Sequence, residues 1–151
     1  METNNKLSEA QELFLQGYNC AQAVFVANIH RFGISKEIAL NISLGMGAGV
    51  GRLREVCGAF SACAMLVGFV QDDAMPEERK KAAYAFVQKM AEQFKCEAGS
   101  LICRDILKLQ EGEKTNPTPD ARTPQYYANR PCLRIVGIGD KIAKQMIKKD
   151  C

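Results

Sequence analysis

The sequence predicts an all-α protein, an irregular bundle of about six or seven helices with a glycine-rich loop ahead of a buried central helix. Three observations predict it. Apolar residues recur at helical spacing in most segments, no segment alternates apolar and polar residues as a half-buried strand would, and capping residues or prolines stand just ahead of the apolar runs.

Leu7, Ala10, Phe14 and Gly17 follow helical spacing on an otherwise polar first helix. Gly17-Tyr18-Asn19 punctuates it, and Asn19 is a good N-cap for a second helix from Cys20 to about His30, ended by Gly33. Ser35 caps a third helix through Ile38, Ala39 and Ile42. From Gly45 to Gly51 glycine then stands at every second position; such a stretch is no stable helix and is free to take positive φ. The fourth helix, about Val56 to Val70, is apolar on every face, as a helix surrounded by others should be. Its apolar run is about fifteen residues, short of the roughly 20 that cross a bilayer.

Asp72-Asp73-Ala74-Met75-Pro76-Glu77-Glu78 signals the start of a fifth helix, with Ala83, Phe86, Val87, Met90 and Phe94 on one face. Gly99 ends it, and Ser100 caps a short helix through Leu107. Residues 112–130 hold Pro117, Pro119 and Pro124 and read as a long loop. Pro131 opens a last helix, with Gly137 and Gly139 as candidate bends. The whole, residues 1–151, reads as one domain, long enough to bury a core without disulfide staples.

The net charge of +3 is too small to suggest nucleic acid, and Lys141, Lys144, Lys148 and Lys149 fit a solvated face of the last helix. The polar first residues, Met1 to Lys6, carry no export signal, and no run spans a membrane. The expectation is a soluble, cytoplasmic protein, in which thiols stay reduced unless chemistry is intended. The very apolar fourth helix leaves room for a homodimer.

Against that background seven cysteines is a high count: Cys20, Cys57, Cys63, Cys96, Cys103, Cys132 and Cys151. No two have C-x-x-C spacing, so a shared site must be assembled by the fold from distant segments. Cys20, Cys57, Cys103 and Cys132 all fall in the first turn of an expected helix, where unpaired N–H groups and the positive dipole end stabilise a thiolate. Arginines stand beside them: Arg52 and Arg54 before Cys57, Arg104 after Cys103, Arg130 and Arg134 around Cys132. Cys63 reads as core, Cys96 as core or incidental, and terminal Cys151 as incidental. The lone histidine, His30, reads as a surface residue. Tyr126 and Tyr127 have two readings, lining a pocket or, more in keeping with the bundle, packing onto it.

The stretch Gly17-Tyr18-Asn19-Cys20-Ala21-Gln22-Ala23-Val24, the glycine loop, Cys57-Gly58-Ala59, Cys103-Arg104-Asp105-Ile106-Leu107 and the late Cys132 resemble the C-GCAxxG-C-C family, small bacterial and archaeal proteins described as redox-active. The resemblance spans about residues 7 to 145 and implies that the family's cysteines correspond to the same four. One departure stands out: the family usually has a glycine shortly after its Cys-Gly-Ala, and Ala62-Cys63 occupies that place here.

Three functions are consistent with these residues. The first is a thiol–disulfide redox protein, with Cys20, Cys57, Cys103 and Cys132 in one or two reversible pairs and an unknown redox partner. The glycines Gly45, Gly47, Gly49, Gly51 and Gly58 would then let backbone approach the sulfurs or a cofactor. The second is a metal module, with the same four thiolates holding an iron–sulfur cluster or zinc. The third is a non-catalytic helical binding or assembly protein with structural cysteines.

Overall fold

The computed structural model describes residues 6–71, 75–110 and 115–148. In order, the helices are α1 Glu9–Leu15, α2 Cys20–Ile29, α3 Lys36–Ser43, α4 Gly58–Val70, α5 Pro76–Ala98, α6 Cys103–Ile106, α7 Pro124–Asn129 and α8 Cys132–Lys148, with single 3-10 turns at His30–Phe32 and Leu44–Met46. The described residues contain no strand, only one isolated antiparallel bridge between Val56 and Ile102. No described helix is long and apolar enough to cross a membrane.

Local chemistry explains where these helices begin. Ser8 and Asn19 each head a capping box: Ser8 Oγ accepts from the Gln11 N–H and Asn19 Oδ1 from the Gln22 N–H, while the two glutamine side chains accept from the cap N–H groups. Ser35 caps α3 through the Ile38 N–H at 3.2 Å. Proline opens α5, and Gly99 ends it at φ 93° with its N–H on the Lys95 carbonyl.

The core is built around α4, which packs against α2, α5 and α8. Phe25, Ile29, Leu66, Val67, Phe94, Ile135 and Ile142 are all buried there. Two glycines let α8 settle. A Cβ at Gly139 would stand 3.1 Å from both the Ala59 Cβ and its carbonyl oxygen, and one at Gly137 would stand 2.6 Å from the Gln11 amide. Buried Asp140 joins α8 to α2, accepting from Asn28 Nδ2 at 2.8 Å and from Lys144 Nζ at 2.6 Å.

Several expectations change. The 112–130 segment is not loop throughout, because Thr123 Oγ1 accepts from the Tyr126 N–H and Pro124 opens α7. Ser100 does not cap α6. Its Oγ accepts from Ile102 N and donates to Asp105, and the helix is a single turn starting at Cys103. Gly137 and Gly139 lie inside the continuous α8 as packing positions. Cys96 is exposed, so it is not core; Cys63 is fully buried, its thiol donating to the Gly139 carbonyl at 3.2 Å. His30 is exposed. The Asp72-Asp73-Ala74 start signal, Gly112, Lys149 and Cys151 lie outside the described residues.

Candidate functional site

Cys20 is the first residue of α2, Cys57 the N-cap of α4, Cys103 the first residue of α6 and Cys132 the first residue of α8. All four line one cavity of about 420 Å³. The Val56–Ile102 bridge holds two of them in place: the Cys57 N–H donates to the Leu101 carbonyl and the Cys103 N–H to the Glu55 carbonyl, each at 2.7 Å.

The glycine-rich segment forms another wall. Five consecutive residues have left-handed φ: Ala48 at 54°, Gly49 at 73°, Val50 at 64°, Gly51 at 57° and Arg52 at 66°. Glycine takes this conformation freely, but each L-residue in it costs about 1–2 kcal/mol, and a β-branched valine there is a genuine outlier. The turn is held by its own bonds, Gly51 N–H to the Gly45 carbonyl at 2.8 Å and Glu55 N–H to the Gly49 carbonyl at 2.9 Å. Asn19 Nδ2, donating to the Leu44 carbonyl at 2.9 Å, ties its entry to the start of α2. Gly47 has ordinary φ and is needed for space, since a Cβ would overlap the Asn19 side chain. Gly47, Gly51 and Gly58 line the cavity; Gly45 and Gly49 do not. A Cβ at Gly49 would stand 2.7 Å from the Arg54 Cα, so that glycine lets the turn close on itself.

The turn brings a backbone donor to Cys20. The N–H groups of Ala48 from the turn, Ala21 from α2 and Gly58 from α4 favour its ionised form, and the Cys57 thiol does so most strongly. Gly58 sits so close that a Cβ would lie 2.6 Å from that sulfur. The Cys57 thiol and these donors lower the Cys20 pKa from 9.0 to about 6, against the opposing effect of burial. Cys57 goes well up, because it holds the proton shared with Cys20 and is buried. Within the pair the shared proton is favoured on Cys57 over Cys20.

A helix start alone does not do this. Burial pushes Cys103 up, although Arg54 Nη1 reaches its sulfur at 3.7 Å. Burial, with the charges of Cys20 and Cys103, pushes Cys132 up to about 11, against Arg130 and the Tyr126 hydroxyl. A place in a first turn therefore does not by itself set the acidity: burial raises Cys103 and Cys132, and the proton shared with Cys20, ahead of burial, raises Cys57.

The flanking arginines separate as well. Arg52, Arg54 and Arg130 line the cavity, whereas Arg104 donates to the Gln110 carbonyl and Arg134 to the Glu97 carbonyl. Residues not singled out in the sequence complete the rim. Asp120 lies 3.0 Å from Arg52 Nη2, 3.0 Å from Arg130 Nη2 and 3.8 Å from Arg54 Nη2. Arg122 donates to the Phe14 and Tyr18 carbonyls at 2.8 and 3.0 Å and stacks 4.1 Å above the Phe14 ring, anchoring the 115–123 segment. Tyr126 lines the cavity and Tyr127 packs edge-on to Phe14, so the tyrosine pair divides between the two expected roles.

Among the described residues no three His, Cys, Asp or Glu side chains stand together as a metal-binding group. The four thiols share a cavity without converging on one point, and they do not fit a zinc or cluster ligand set as they stand.

These features define an all-helical thiol protein whose distant cysteines meet in one arginine-rimmed cavity. The chain belongs to the C_GCAxxG_C_C family, described as "Putative redox-active protein (C_GCAxxG_C_C)", whose model matches residues 18–146. No curated protein and no solved structure matches it.

Proposed function

We propose that the protein is a thiol–disulfide redox protein in which Cys20 is the attacking thiolate and Cys57 the resolving thiol. The observation that carries this reading is the close approach of the Cys20 sulfur to the start of α4, where a Cβ at Gly58, next to Cys57, would lie 2.6 Å from it. A nucleophile held ionised beside a protonated second thiol is the arrangement disulfide exchange requires.

The reaction balances as follows. The Cys20 thiolate attacks one sulfur of a substrate disulfide, forming a mixed disulfide and releasing one substrate thiolate. Cys57 then gives up its proton and attacks the Cys20 sulfur, releasing the second substrate thiolate and leaving a Cys20–Cys57 disulfide. The substrate gains two electrons and the protein loses two. A reducing thiol donor, the redox partner, restores the dithiol by the same exchange in reverse. Cys103 and Cys132 line the same cavity, both pushed up by burial, and in this reading they take over the disulfide by internal exchange.

The test is thiol counting on anaerobically purified protein before and after exposure to a mild disulfide, with metal analysis and an absorption spectrum of the same sample. Reversible loss of two or four thiols without metal supports the proposal. Bound iron or zinc that protects those thiols would replace it with the metal reading.

A further inference from the structure

The thiol chemistry uses the sulfurs and the backbone around them, and leaves the arginine rim without a role. Three guanidinium groups, from Arg52, Arg54 and Arg130, share the single carboxylate of Asp120. Among the described residues no other carboxylate pairs with them.

Arg54 is the most demanding of the three. It is 7% exposed and lines the cavity, yet its side-chain contacts among the described residues are the long ones, 3.8 Å to Asp120 and 3.7 Å to the Cys103 sulfur. A cation this far removed from water is favoured by an anion that approaches closer than Asp120 does. Asp120 is a poor permanent one. Its side chain is 40% exposed, and every residue from 115 to 121 is exposed, so its carboxylate reaches the rim from a solvated segment.

Asp120 thereby shows what the rim accepts, a carboxylate forked by guanidinium groups, the geometry for which arginine is best suited. Cavity size and burial restrict the rest of the ligand. About 420 Å³ suits a small molecule, and Cys20, half-buried in the cavity wall, is the sulfur such a molecule would meet. Building on the redox reading, we infer that the substrate is a small disulfide bearing a carboxylate, which takes the place of Asp120 on Arg52, Arg54 and Arg130 and presents its S–S bond to Cys20. Cys20 forms the mixed disulfide and Cys57 resolves it, with the electron balance given above.

A matched series of disulfides tests this on the full-length reduced protein: 3,3′-dithiodipropionate, its dimethyl ester, and cystamine. These are anionic, neutral and cationic. Second-order rates of mixed-disulfide formation at Cys20 are measured at low salt, each divided by the compound's rate with 2-mercaptoethanol. The dicarboxylate is expected to exceed its ester by about tenfold or more and cystamine to be slowest, with the ratio shrinking at high salt. Asp120→Asn raises the acid-to-ester ratio, and Arg52→Gln with Arg130→Gln lowers it to about unity. A ratio near unity in the unaltered protein, with Cys20 still reacting, overturns the carboxylate assignment and leaves the redox reading intact. Failure of Cys20 to react with any of the three overturns the redox reading itself, and this inference with it. The acid–ester comparison needs no variant, so a poorly folding arginine variant does not remove the test.

Discussion

Cys20 and Cys132 occupy equivalent positions, each half-buried and each the first residue of a helix whose N-terminus faces the cavity. Their acidities nevertheless diverge, about 6 for one and about 11 for the other. The dipole is common to both, so it is not what separates them. Cys20 has donors from three separate segments and a neighbouring thiol; Cys132 has burial, two repelling sulfurs, and only Arg130 and the Tyr126 hydroxyl in opposition. Acidity at Cys20 therefore comes first from the neighbouring Cys57 thiol and then from backbone N–H groups, one of them supplied by the strained turn from Ala48 to Arg52.

The most drastic way to break this contrast is to remove the nucleophile. Cys20→Ser is expected to abolish mixed-disulfide formation in the cavity, while Cys57→Ser still forms the mixed disulfide at Cys20 and cannot resolve it; peptide mass spectrometry distinguishes the two, and separates both from adducts at exposed Cys96. If Cys57→Ser instead stops at unmodified protein while Cys20→Ser accumulates adduct, the roles are reversed.

Gly58→Ala tests the donor cluster. Its Cβ would lie 2.6 Å from the Cys20 sulfur and 2.9 Å from the Met46 carbonyl, forcing the sulfur off its donors. The inflection of Cys20 alkylation, expected near pH 6 in the unaltered protein, should move up by about one unit or more, with about tenfold slower alkylation at pH 6. An unmoved inflection in a folded variant would show that those contacts do not set the acidity.

The two cysteines also set opposite pH limits on stability. Cys20, depressed below its unfolded value of 9.0, contributes stability that is fully present above pH 9 and is lost as pH falls through about 6. Cys132, raised above 9.0, contributes stability that is present below pH 9 and is lost as pH rises through about 11. Denaturant titrations should find Cys132→Ser less sensitive than the unaltered protein between pH 9 and 11, a range in which Cys20→Ser retains that sensitivity.

A smaller effect is expected from Gly139→Ala, which presses α8 away from α4 at Ala59. Overpacking of this kind costs about 1–3 kcal/mol, read as a lower denaturation midpoint. If α8 shifts as a unit, the Cys132 alkylation profile changes while that of Cys20, held by α2, the turn and α4, does not.

Much of this was legible in the residues. Asn19, Ser35, Pro76 and Gly99 mark helix ends by local chemistry, and local chemistry is what a sequence displays directly. Asn19 placed Cys20 at a helix start, the end of the glycine loop placed Cys57 and Pro131 placed Cys132, whereas Cys103 opens its helix without the Ser100 cap that pointed to it. What separates their acidities was not legible, because it depends on Cys57, Ala48 and Gly58 arriving beside Cys20 from elsewhere in the chain and on the depth of burial of Cys103 and Cys132. Asp120 and Arg122 were hidden for a related reason. They sit among prolines in a segment whose composition signals only a loop, and their roles exist only once that segment lies across the cavity. The same prolines concealed α7, although Thr123-Pro124 is an ordinary cap and first-turn pair.

The adjacency of Cys20 and Cys57 has a mechanical consequence too. A bond between those sulfurs would close the chain from residue 20 to residue 57 and tie the start of α2 to the start of α4, two of the helices that form the core. Loop-closure entropy makes such a tie worth about 4 kcal/mol against unfolding. The oxidised molecule would then withstand heat and proteases that the reduced one does not, so its lifetime would record which side of the exchange it last stood on.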